Sequence, residues 1–101
     1  MGYIIHTTDE LRKNYDEITV WKISQIALTV FALAVSTDGM PKTLIMRPGN
    51  CEPEFNNDEV MTGCLDYIND EIVAEYKRSP LGGIHIYIRL AREQPQIASS
   101  Q

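Results

Sequence analysis

The chain has 101 residues, with 14 Asp and Glu against 9 Lys and Arg, for a net charge of −5. That length holds one domain with a real core and leaves no room for two, and a hydrophobic content of 44% with 23% charged residues is ordinary for a globular protein. The acidic balance disfavours nucleic acid and anionic lipid as partners, because both carry charge of the same sign.

Tyr3-Ile4-Ile5-His6 is a short apolar run and predicts a first strand. Thr7, followed three residues later by Glu10, has the pattern of a capping box, so a short helix should begin near Thr8, with Leu11, Tyr15 and Ile18 along one face. The longest apolar stretch comes next. Ile18 to Val35 contains 13 apolar residues in 18 and the only Trp, with no Gly, Pro, Asn or Asp to interrupt it. Lys22, Gln25, Thr29 and Ser36 recur at helical steps, with Ala32 filling the gap, so we read a helix with one narrow polar stripe. Asn14 with Glu17 would cap its start and Gly39 would end it. Two other readings compete. The β-branched residues and Asp38-Gly39 suit a pair of strands joined by a tight turn. Ala32-Leu33-Ala34 has the small-residue pattern of an export cleavage site, but Lys22 and Gln25 lie inside the run and four acids precede it. A segment this apolar must be covered, which places Trp21 in the core or in a subunit contact and makes a homo-oligomer through this segment an open option.

Met40 to Arg47 reads as a strand whose beginning, marked by Pro41, lies at a sheet edge. Residues 48–56 form a loop. Asn56 with Glu59 suggests a third capping box, and from there to Arg78 the apolar positions Val60, Met61, Cys64, Leu65, Ile68, Ile72 and Tyr76 predict a helix. Asp58 and Glu59 at its start and Lys77 and Arg78 at its end would complement the helix dipole. Ser79-Pro80-Leu81-Gly82-Gly83 stops it. Ile84 to Leu90 then alternates strictly, isoleucines and Leu90 on one face and His85, Tyr87 and Arg89 on the other, as a half-buried strand does.

The expected fold is therefore a small single α+β domain over residues 1–91, a three- to four-stranded mostly antiparallel sheet with helices packed on one face, followed by a flexible C-terminal tail over 92–101.

The sequence holds few residues in a chemical pattern. His6, His85, Cys51 and Cys64 are zinc-ligand types without zinc-ligand spacing, so no metal, cofactor or catalytic residue is expected. Cys51 and Cys64 read as reduced thiols in a cytoplasmic protein. Between Pro48 and Tyr76 lie eight acids and no Lys or Arg. Asp58, Glu59, Asp66 and Asp70 would fall opposite the apolar stripe of the predicted helix. The leading functional expectation is a non-enzymatic module, an inhibitor, immunity or adaptor protein, that docks on a basic protein partner. Glu59, Asp66 and Asp70 on the acidic helix, or His85, Tyr87 and Arg89 on the last strand, would make the contact. The alternative is a small enzyme or ligand-binding domain with a pocket around His6, His85 and Tyr87. Neither reading involves direct contact with nucleic acid or membrane.

Overall fold

The structure is a computed structural model that describes residues 2–37, 41–57 and 59–94. The elements run β1 (Tyr3–Thr7), α1 (Asp9–Asn14), α2 (Glu17–Thr37), β2 (Thr43–Pro48), β3 (Glu54–Phe55), β4 (Val60–Leu65), β5 (Ile72–Arg78) and β6 (Ile84–Leu90).

Both helices start on local capping chemistry. Thr8 rather than Thr7 caps α1, its side-chain oxygen accepting from the Leu11 N–H at 3.2 Å, with Asp9 and Glu10 in the first turn and Arg12 and Lys13 in the last. The cap of α2 is Asp16 rather than Asn14: its carboxylate accepts from the Thr19 N–H at 2.8 Å. Hydrogen bonding from Thr19 holds that carboxyl below its ordinary value of 3.8. Gly39, expected to end α2, lies outside the described residues.

The sheet corrects the expected architecture. It has six strands in the order β1-β6-β5-β2-β4-β3, and it is mixed: β1 with β6 and β2 with β4 are parallel, while the other neighbours are antiparallel. One of the extra strands, β3, lies in the stretch expected to be a loop over 48–56, and the other two come from the segment read as a helix over 58–78, which forms β4, a turn, and β5. Its apolar spacing suits a helix, but β-branched Val60, Thr62, Ile72 and Val73 favour a pleated ladder, and Gly63 and Asn69-Asp70 break a helix between them. Asn56 and Asn57 accordingly cap no helix. The Asn57 Oδ1 accepts from the N–H groups of Glu59 and Val60, and the Asn56 Oδ1 accepts from the Thr62 hydroxyl. Asp58 lies outside the described residues.

The strand expected to begin at an edge is also central. β2 lies between β4 and β5, and Pro41 is buried just ahead of it, where a missing N–H interrupts no ladder bond. The two adjacent Lys42 and Thr43 N–H groups both reach the Glu59 carbonyl, at 2.8 and 3.0 Å.

Residues in register across neighbouring strands share a face. One face carries Ile86, Ile88, Leu90, Ala74, Ile72, Leu44 and Met46, and it packs with Leu11 of α1 and Ile23, Ala27 and Phe31 of α2 into a single core. The Phe31 and Tyr76 rings sit 5.5 Å apart within it. Each large side chain in this core contributes about 1.5–3 kcal/mol by leaving water. Among the described residues none covers the outer side of α2. Trp21 is 62% exposed, with Ile18 and Leu33 similarly open, so Trp21 is not a core residue. By length and composition α2 could also cross a bilayer, but Ile23, Ala27, Phe31 and Ala34 are packed as in the core helix of a sheet protein.

The cysteines are not free. Cys51 and Cys64 form a disulfide that ties the 48–53 loop to β4. The reduced-thiol expectation is corrected, and the cytoplasmic assignment loses the ground it stood on. At the other end, the tail expected from residue 92 is anchored at its start. Arg92 reaches Asp70 at 3.0 Å, and the Glu93 carboxylate accepts from the Thr8 hydroxyl and the Leu90 N–H, both at 2.8 Å. Residues 95–101 lie outside the described residues.

Candidate functional site

Among the described residues no helix lies over the second face of the sheet. Registration places His85 beside Ile4 and Lys77, and Tyr87 beside His6 and Glu75, on this open face. His6 and His85, 79 positions apart in the chain, meet because β1 runs parallel to β6. The His6 Nε2 lies 2.8 Å from the His85 Nδ1, and the ring planes are within 13° of each other at a centroid separation of 5.0 Å. So long a separation with so short a nitrogen contact sets the two imidazoles edge to edge in one near-continuous plate. One nitrogen must donate and the other accept, so at least one ring is neutral while the bond stands. The Tyr87 ring lies nearly parallel to His6, 4.6 Å away, within the range of an attractive offset stack.

Beside this plate is an open groove of about 220 Å³ lined by Lys77, Arg78, Ser79, Pro80, His85 and Tyr87. The β5–β6 connection shapes it. Ser79 N–H donates to the Gly83 carbonyl and Gly82 N–H to the Ser79 carbonyl, both at 3.0 Å. Gly82 and Gly83 have φ of +98° and +85°, a conformation that side chains resist. The turn thus delivers Ser79 and Pro80 to the groove beside the last two residues of β5.

The charge around the groove is unusual for this chain. Among the described residues five of the nine cations, Arg12, Lys42, Arg47, Arg89 and Arg92, are in ion pairs. Lys22 sits over the Tyr67 ring, 5.4 Å from its centre. Lys77 and Arg78 are in no ion pair among the described residues, and both line the groove.

The residues expected to contact a partner divide. His85 and Tyr87 come together with His6. Arg89 is on the same face but buried and occupied: its Nε donates to Glu75 at 3.4 Å and its Nη1 to the Glu93 carbonyl at 3.1 Å. Glu59, Asp66 and Asp70 do not line one helix face, since no helix forms there. Glu59 pairs with Lys42 at 3.7 Å. Asp66 is exposed in the turn after β4. Asp70 accepts from the Tyr15 hydroxyl at 2.9 Å and from Arg92 at 3.0 Å. Burial, together with the Asp70 charge, pushes the Tyr15 phenol above its ordinary value.

Lys77, Arg78 and Ser79 were invisible as site residues in the sequence, where the two cations read as a helix terminus. The strict alternation of Ile84 to Leu90 pointed to His85 and Tyr87 sharing a face, but nothing local told that β1 would lie beside them.

A second, apolar groove of about 250 Å³ lies between the C-terminal half of α2 and the β3 edge, lined by Val30, Leu33, Ala34, Thr37, Pro41, Phe55 and Met61. No group of three or more metal-ligating side chains occurs among the described residues. Comparison with protein-family models, with curated proteins and with solved structures gives no match.

Proposed function

We propose that this chain is a non-enzymatic binding module that holds a small anionic group in the groove beside the His6–His85 plate. The observation that carries this reading is the placement of Lys77 and Arg78. In a chain of net charge −5, two of the few cations without an ion pair among the described residues adjoin in one concave site, next to the Ser79 hydroxyl and the His85 ring. Cations left unneutralised in a concavity concentrate counter-ions there and cost less to desolvate against an anion than against nothing. The groove has room for about seven water volumes at roughly 30 Å³ each, which suits a small group rather than a long chain. The Ser79 hydroxyl and His85, held by His6, also line the groove, and binding is assigned because the two adjoining cations are the groups that match an anion.

A basic protein partner at Glu59, Asp66 and Asp70 has less in its favour, because Lys42 and Arg92 already neutralise two of the three. The test is calorimetric titration of inorganic pyrophosphate into the wild-type chain and into the Lys77→Ala/Arg78→Ala double variant. The wild type should bind with a Kd of about 1 mM or tighter, with affinity falling as salt rises. The double variant should lose binding while melting at the wild-type temperature. Equal binding by both proteins would remove the reading.

A further inference from the structure

The groove has two kinds of wall. Lys77, Arg78 and Ser79 offer charge and a hydroxyl, whereas His85, Tyr87 and Pro80 offer ring surfaces. A bare anion uses only the first kind and leaves the rings wet. From this division, and resting on the anion-binding reading above, we infer that the ligand is a planar aromatic ring system carrying a phosphate, with a free mononucleotide as the matching chemical class. The ring would extend the stack that His6 and Tyr87 begin, whose planes are already within 11° of parallel. The phosphate would sit against Lys77 and Arg78 at the mouth.

The plate is prepared for this. The hydrogen bond between His6 and His85 fixes two rings that would otherwise rotate, and Tyr87 is held against one of them, so the surface is ordered before a ligand arrives. Aromatic stacking on a base tolerates any base, because each has a π-face. The site should therefore select for the presence of a base and a phosphate more than for base identity. The net charge of −5 works against a long strand, whose successive phosphates would meet the acidic surface beyond the groove.

The experiment titrates adenosine 5′-monophosphate, ribose 5-phosphate and a twelve-nucleotide single strand into the full chain, by calorimetry at low salt, with Tyr87→Leu as the variant. The nucleotide should bind about tenfold tighter than ribose 5-phosphate, the gain that one stacked base gives. Tyr87→Leu should erase that difference while leaving ribose 5-phosphate binding in place. The single strand should bind no tighter per molecule than the mononucleotide. If the two phosphates bind equally, the anion site stands and the aromatic preference is wrong. If neither binds, both readings fall together. A strand that binds much more tightly than the mononucleotide would overturn the assignment to a free nucleotide. The wild-type comparison decides the matter even if the variant fails to fold.

Discussion

Arg89 gives the sharpest test of how the open face is held. Its side chain is 11% exposed and bridges two parts of the chain, Glu75 on β5 and the carbonyl of Glu93 beyond β6. Replacing it with Met keeps most of the aliphatic stem and removes the charge. Of its contacts only the one to Glu93, at 3.1 Å, has ordinary hydrogen-bond length; those to Glu75, Leu90 and Ala91 are at 3.4 Å. One good charge-assisted bond is worth about 1.5–3 kcal/mol. Breaking a well-buried ion pair costs about 3–5 kcal/mol, mainly because the partner is stranded. The Glu75 side chain retains 20% of its exposure, so water relieves part of that penalty. Arg89→Met should therefore lose about 2–3 kcal/mol, a fall in Tm of roughly 10–20 °C for a domain of this size. The stranded carboxylate also makes a second prediction. Adding Glu75→Met should recover about 1 kcal/mol or more, since an apolar pair of similar volume replaces the ion pair. Urea denaturation followed by circular dichroism measures both. An Arg89→Met change within about 0.5 kcal/mol of wild type, or a double variant as weak as the sum of the singles, would refute the bridging role.

Other consequences follow from the same structure. Reducing the Cys51–Cys64 disulfide, or replacing both residues by Ser, should cost about 3 kcal/mol, the loop-closure value for a separation of 13 residues, with the loss read from urea midpoints in the presence and absence of reductant. Tyr15→Phe should cost about 1–2 kcal/mol, because the hydroxyl donates to Asp70 and accepts from the N–H groups of Asn69 and Asp70. With its folded pKa raised above the ordinary 10.0, Tyr15 stabilises the fold fully below that value and loses the contribution as pH rises through the folded one. The alkaline fall in stability between wild type and Tyr15→Phe should therefore converge, and parallel curves would contradict it. Trp21 is more exposed than buried, so its emission should resemble that of free tryptophan and be quenched by iodide; a blue-shifted, protected signal would mean that another surface covers α2.

Much of this fold is written in local pattern. β1, the short α1, the long α2 and the alternating β6 follow from runs and periods that one segment carries by itself. The 58–78 segment misleads because Val60, Met61, Cys64, Leu65, Ile68, Ile72 and Tyr76 satisfy a helical spacing, while their actual partners are Thr43 to Pro48 and Ile84 to Leu90, which no local window contains. Once that segment becomes two strands, Glu59 and Asp70 leave the single predicted face for separate ion pairs while Asp66 stays exposed in a turn, and Lys77 and Arg78 move from a helix end to a groove. Trp21 misleads for the opposite reason. Apolar count over Ile18 to Val35 demands burial, but one sheet covers only the Ile23, Ala27, Phe31 and Ala34 side. The meeting of His6 with His85 depends on strand order, and strand order has no signature in either residue's neighbourhood.

The central claim, that the groove at the β5–β6 turn takes an anion, is tested most directly by mapping backbone amide shifts during titration with inorganic pyrophosphate. The account predicts saturable changes concentrated at Lys77, Arg78, Ser79, His85 and Tyr87, with residues around Phe55 and the α2 C-terminal half unmoved. Shifts that fail to saturate, or that cluster away from the β5–β6 turn, would contradict it.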